Sequence, residues 1–192
     1  MIPAMMRAFK ATADSSYFHS ASKAFDYYYG EFEELGYTTA GALDTWCIDK
    51  ESSMPLLRSA LVLYDTTQEQ AYIEKAEKIS YYLSTWLWHY KASYDADEDA
   101  TRYDYNTFGA TSVSTQHHHL DVYALMWVSE WLRLAELSGN DVWREKAKAI
   151  WTNGCQILSD GTLEINGLIR PVGSQNEAFF ECAWGGYPEK KR

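Results

Sequence analysis

Long apolar runs are missing from this sequence. No stretch approaches the roughly eighteen apolar residues that a membrane-spanning helix needs. The opening MIPAMMRAFKATADSS also lacks the continuous apolar segment of a secretory leader. Both absences lead us to expect a soluble, cytoplasmic chain with no membrane partner. Basic charge is scarce as well: 17 Lys and Arg stand against 27 Asp and Glu, a formal net charge of -10. The basic run is the terminal Lys190, Lys191, Arg192. Nucleic acids and anionic membranes reward basic patches, so neither is an expected partner. The three cysteines, Cys47, Cys155 and Cys182, show no CxxC spacing. Neither a disulfide framework nor a zinc site is indicated, and buried free thiols are the expectation.

Aromatic residues are abundant. The chain has 8 Trp, 15 Tyr and 7 Phe among 192 residues. Rings fill cores, and they also present flat apolar platforms of the kind that take sugar faces; core packing accounts for most of them. The length suits one domain, residues 1–192, with a substantial core.

The apolar positions recur with helical spacing. Phe18, Ala21, Phe25, Tyr28, Phe32 and Leu35 form one stripe of a helix that Gly36 ends. A second helix begins near Ser52, Ser53 and Pro55 and runs through Leu56, Leu57, Ala60, Leu61 and Tyr64. Asp65 to Gln68 reads as a connector. A third helix follows on Tyr72, Ala76, Ile79, Leu83, Trp86, Leu87 and Tyr90. Tyr90 to Val113 is acidic, rich in tyrosine and without helical period, so a long loop is expected. A fourth helix is expected from about His117 to Leu137 and a fifth from about Asp141 to Leu158, joined by Ser138-Gly139-Asn140. Asp160-Gly161 and Asn166-Gly167 bracket the alternating Thr162, Leu163, Glu164 and Ile165, which predicts a small β-hairpin near residues 160–172. A sixth helix would start near Asn176.

The second and third helices repeat as the fourth and fifth. A shift of 71 positions puts Leu61 on Leu132, Leu63 on Leu134, Tyr72 on Trp143, Lys75 on Lys146, Ala76 on Ala147 and Ile79 on Ile150. Self-similar helical hairpins at a fixed period mark a solenoid or closed array, in which each unit buries its face against neighbours.

Polar clusters fall at matching places. Asp49-Lys50-Glu51-Ser52 precedes the second helix, Gln116-His117-His118-His119-Leu120-Asp121 opens the fourth, and Gln175-Asn176-Glu177 opens the sixth. In a curved array this gathers the long loops and the amino ends of one helical layer on one rim. Cleaving a glycosidic bond takes one carboxyl to protonate the leaving oxygen and one carboxylate to activate water or attack carbon. Asp49, Glu51, Asp121 and Glu177 are the candidates. Trp46, Gln116, His117, His118, His119, Gln175 and Asn176 are the candidate substrate contacts. For any one of these acids alone, first-turn capping that complements the helix macrodipole is the stronger reading, and the agreement across repeats weakens it modestly. Adjacent histidines on a helix point in different directions, so the triple His does not make a metal site. The loop acids Asp95, Asp97, Glu98, Asp99 and Asp104 lack calcium-loop spacing. No metal or cofactor is expected.

The hairpins LLRSALVLYDTTQEQAYIEKAEKISYYL and WLRLAELSGNDVWREKAKAIWTNGCQIL resemble those of the six-hairpin (α/α)-toroid glycosidase superfamily, over about Ser52 to Glu177. The resemblance is one of hairpin style. It implies an all-α toroid, with inner and outer rings of helices around a funnel and an acidic carbohydrate-hydrolysing site at the rim. Related toroids include sugar epimerases that use histidines, and terpenoid cyclases. No catalytic motif matches residue by residue, so no role is carried over. A full toroid has twelve helices, whereas this sequence offers five and the start of a sixth, about half a toroid. Three explanations fit: a fragment of a longer protein, a half-toroid that a second copy completes as a homodimer, or a small open array without catalysis; the uncovered apolar flank of half an array would drive association. The expected function is a glycoside-hydrolase-like protein with a carbohydrate ligand. The alternatives are a sugar epimerase or isomerase using one of His117 to His119 as acid/base, and a non-catalytic carbohydrate-binding or interaction array or inactive fragment.

Overall fold

The computed structural model describes residues 1–40, 47–112, 114–115, 120–156, 158–165 and 167–175. Among these the chain is mostly helical, with three two-stranded antiparallel hairpins. It divides into two compact units: Met1–Trp86 with Met126–Ala147, and Leu87–Leu125 with the chain from Lys148 onward. No helix among the described residues is long and apolar enough to cross a membrane.

The first unit opens with a helix that the sequence reading missed, α1 (Ile2–Thr12), which carries Pro in its first turn and buries Ile2 and Met6. Next comes α2 (Ser15–Leu35). The Asp14 side chain accepts from the Ser16 amide at 2.9 Å and so caps α2, and that bond holds the carboxyl below its ordinary range. At its far end Gly36 closes the helix at φ 76°, a left-handed conformation open to glycine without a Cβ penalty. The buried stripe of α2 is Ala21, Phe25, Tyr29 and Phe32. Tyr28 and Leu35, expected in the core, are exposed instead. Phe25 and Phe32 pack edge-on against Tyr72 and Tyr82, and this ring packing sets the helix's rotation.

A short hairpin of β1 (Thr38–Ala40) and β2 (Cys47–Asp49) leads into α3 (Ser53–Thr67), which turns into α4 (Gln70–Ser84). The expected connector from Asp65 is shorter than its composition suggested, because the helix continues to Thr67. Gln68 ends it in a left-handed conformation at φ 60°, and its side-chain amide donates to the carbonyls of Tyr64 and Asp65. Five large apolar side chains of α3 and α4, namely Leu57, Leu63, Ile73, Ile79 and Leu83, are fully buried. Two small residues, Ala60 and Ala76, are likewise fully buried and let the pair approach closely. The third helix stops at Ser84 rather than at Tyr90.

The same unit contains α6 (Val128–Ser138) and the start of α7 (Val142–Gln156). The expected helix start at His117 is corrected here. Leu120–Asp121 is a strand, Tyr123–Trp127 is a tight 3-10 turn, and the α-helix begins only at Val128. The fully buried rings of Trp131 and Trp143 pack against each other, and the Trp131 indole N–H donates to Ser80 Oγ of α4 at 3.0 Å. Two surface ion pairs, Arg58 with Glu130 and Arg133 with Asp65, also join α3 to α6.

The second unit begins at Leu87. Its long loop is not featureless: it contains the one-turn helix α5 (Asp99–Arg102) and strand β3 (Thr111–Ser112), which pairs with β4 (Leu120–Asp121). A small core gathers Ala100, Tyr105, Ala110, Leu120, Val122, Leu163 and Ile165. The predicted hairpin is present as β5 (Glu164–Ile165) and β6 (Leu168–Ile169), joined with Gly167 at φ 77°. Tyr103 ties α5 to this hairpin by exchanging bonds with the Glu164 backbone at 2.7 and 2.9 Å. Hairpins β1–β2 and β3–β4 were not anticipated.

The 71-residue repeat holds at its packing positions. Leu63 and Leu134, Ala76 and Ala147, and Ile79 and Ile150 are all buried. Leu132 breaks the match with buried Leu61, being 39% exposed. Leu87 and Leu158 share the spacing and each forms an isolated bridge, although their partners Thr111 and Gln175 do not.

Candidate functional site

Asp49 and Asp121 occupy the same local setting. Each is the last residue of a short strand, each lies opposite a threonine in register (Thr38 and Thr111), and each is buried. Each carboxylate accepts from the backbone amide two residues on. Asp49 Oδ1 takes the Glu51 amide, and Asp121 Oδ1 takes the Tyr123 amide at 2.9 Å. Such a side-chain-closed turn bends the chain from strand toward helix while supplying a partner to an amide that would otherwise have none.

The opposed threonines reinforce both turns. Thr38 Oγ1 donates to the Asp49 carbonyl at 2.6 Å, and Thr111 Oγ1 donates to Asp121 Oδ1. Tyr82 Oη, from the carboxyl end of α4, adds a 2.7 Å bond to the Asp49 carbonyl. Burial raises the Tyr82 hydroxyl above its usual range, so it remains a donor. These contacts make Asp49 and Asp121 rigid turn formers in their own units. In the first polar cluster Lys50 is buried, Glu51 is half-buried and Ser52 is exposed. Ser52 Oγ donates to the Thr39 carbonyl at 2.8 Å, and Ser53 Oγ donates to the Lys50 carbonyl at 2.6 Å.

Of the other predicted residues, Gln175 is exposed, and its side-chain amide donates to the Gly154 carbonyl at 3.3 Å. Trp46, Gln116, His117, His118, His119, Asn176 and Glu177 lie outside the described residues, as does the expected sixth helix. Cys47 is buried as expected, whereas Cys155 of α7 is exposed, and Cys182 lies outside the described residues. Among the described residues no three His, Cys, Asp or Glu side chains gather as metal ligands.

A groove of about 700 Å³ in the first unit was not legible from the sequence. Met1, Ile2 and Met5 at the amino end of α1 line it, as do Ser52, Pro55 and Leu56 at the amino end of α3. The rest of the wall is the carboxyl half of α2, with Tyr27, Tyr28 and Glu31, followed by Tyr37, Thr38 and Thr39. The groove therefore lies at the end of the helices where β1–β2 sits. Tyr28 was expected in the buried stripe, but α2 buries Tyr29 in its place and leaves Tyr27 and Tyr28 exposed. No protein-family model matches the chain, and no curated protein matches it.

Proposed function

We propose that this chain is a glycoside-hydrolase-like helical array, or part of one, that acts on or binds a carbohydrate. The observation that supports the reading most is the recurrence of one device. A strand ending in a buried aspartate opposite a threonine is followed by a closed turn and then by a packed helical segment, and this happens in two successive repeats. In this reading Asp49 and Asp121 are positioning residues, because their oxygens already hold the turns. Proton chemistry then falls to a carboxyl outside the closed turns: Glu51, half-buried two residues after Asp49, is one candidate, and Glu177, outside the described residues, is a candidate from the sequence alone. The toroidal arrangement and a second copy completing it belong to the same proposal.

The test is release of new reducing ends from a panel of polysaccharides by the full chain, repeated for Glu51→Gln and Glu177→Gln. Removing a general acid or base lowers turnover by about a hundredfold or more. A bell-shaped rate profile that loses one limb in either variant would identify which carboxyl donates. No product from any glycan, or undiminished product from both variants, overturns the catalytic reading.

One observation favours a second reading, a non-catalytic carbohydrate-binding array. Asp49 and Asp121 are buried and hydrogen-bonded in the way a purely structural turn requires. That reading predicts saccharide binding that survives Glu51→Gln together with Glu177→Gln, with no turnover by the parent chain.

A further inference from the structure

We propose that the groove at the amino ends of α1 and α3 is a binding subsite for uncharged sugar rings; the inference rests on the carbohydrate reading above and specifies the class of ligand. Its volume of about 700 Å³ falls within the roughly 300–1,000 Å³ of small-ligand sites.

One wall is aromatic. Tyr27 and Tyr28 are 63% and 59% exposed, their ring centroids lie 5.2 Å apart, and their planes meet at 80°. Two perpendicular apolar faces side by side, with Tyr37 near them in the lining, suit the flat C–H face of a pyranose, while their hydroxyls remain free to pair with its edges. The rest of the lining is largely apolar, with Met1, Ile2, Met5, Pro55 and Leu56, and its polar members Thr38 and Ser52 are held in place. Ser52 Oγ spends its proton on the Thr39 carbonyl and Thr38 Oγ1 spends its proton on the Asp49 carbonyl. Each hydroxyl oxygen then presents lone pairs in a set direction, which complements the donors of a sugar. The bond from Ser52 also ties the groove wall to the turn that displays Glu51.

Charge selects the ligand further. Glu31 is the charged side chain among the lining residues, which include no Lys, Arg or His. An anionic sugar laid on the tyrosines would meet the Glu31 carboxylate one helical turn away with no Lys, Arg or His side chain in the lining to offset the repulsion, so uronates and sulfated or phosphorylated sugars are disfavoured. An apolar helix laid in the groove would strip water from Glu31 without supplying a counter-charge, which disfavours a simple packing partner as well.

The experiment is titration of the full chain, labelled at tyrosine ring carbons, with neutral oligosaccharides (gluco-, manno- and xylo-oligomers) and with oligogalacturonate, followed by NMR. At least one neutral oligomer is expected to move the Tyr27, Tyr28 and Tyr37 signals. Tyr28→Ala is expected to weaken it about tenfold, while Tyr28→Phe keeps most of the affinity. Tyr90→Ala, on an exposed ring of the second unit, should leave binding unchanged, and Glu31→Gln should admit the uronate. The proposal fails if oligogalacturonate binds the parent chain as well as any neutral oligomer. It fails too if no neutral oligomer moves these rings, or if their signals respond only to protein concentration with a doubled solution mass, which would make the groove an interface between copies. Hydrolysis lost in Glu177→Gln with silent tyrosines would sink the groove alone. Binding at the tyrosines without any hydrolysis would sink the hydrolase reading alone.

Discussion

Gly36 and Gly109 both hold a positive φ, 76° and 90°, but their surroundings differ. A Cβ at Gly36 meets nothing within 4 Å, whereas one at Gly109 would lie 2.3 Å from the Ala149 carbonyl oxygen of α7. Gly36→Ala therefore carries only the left-handed backbone penalty, about 1 kcal/mol. Gly109→Ala adds an overlap with helix backbone that no side-chain rotation can relieve, and should cost at least about 2 kcal/mol. Urea unfolding of both variants checks this; equal midpoint losses would show that α7 yields to the new methyl group. The two roles were unequally legible. Gly36 follows a periodic helix and could be read as its cap. Gly109 sits in an acidic, tyrosine-rich stretch, and its neighbour is forty residues away in the chain, so local pattern carries no trace of it.

At the scale of elements, helical periodicity was legible wherever a helix buries one stripe, as in α3, α4 and α7. It failed where the stripe is short or begins in another conformation. The segment Leu120 to Trp127 is almost continuously apolar apart from Asp121, and a short apolar run fits a helix as well as a strand. Its strand and 3-10 turn arise because Asp121 claims the Tyr123 amide, a tertiary choice supported by Thr111. Strands of two or three residues, as in β1–β2 and β3–β4, are too short to show alternation, so the setting shared by Asp49 and Asp121 was visible only as two polar clusters. The packing between repeats can be tested at the Trp131–Ser80 bond, where both side chains are fully buried. Ser80→Ala leaves the indole N–H without a partner and should cost about 1–3 kcal/mol. Trp131→Phe removes that donor along with ring volume. In the double variant the serine change should then be nearly free, giving a coupling energy of about 1 kcal/mol or more by denaturant unfolding. Additive effects would show that the bond contributes no net stability to the α4–α6 contact.

Across the whole molecule the aromatic excess has an electrostatic consequence. Tyr29, Tyr72, Tyr82 and Tyr105 all have hydroxyls raised above the ordinary 10.0, in each case chiefly because burial disfavours the phenolate. Tyr105 is raised most; it is 3% exposed and donates to Asn153 Oδ1 at 3.0 Å, while Asn153 in turn donates to the carbonyls of Asn106 and Phe108. A folded-state value above the unfolded one gives stability that is whole below about pH 10. It is lost as pH rises toward the folded value, because the unfolded chain releases a proton that the native chain keeps. Each such proton contributes a slope of about 1.4 kcal/mol per pH unit in that window. The protein should therefore lose stability steeply above pH 10 by an amount that follows its buried tyrosines. Tyr105→Phe is expected to cost about 1 kcal/mol at pH 7 through the lost hydrogen bond. It should also flatten the alkaline decline, so that the parent and variant stability curves converge between pH 10 and 11.5. Parallel curves over that range would mean that the Tyr105 hydroxyl titrates as it does in water and that the core around Ala100, Leu120 and Ile165 opens before the proton leaves.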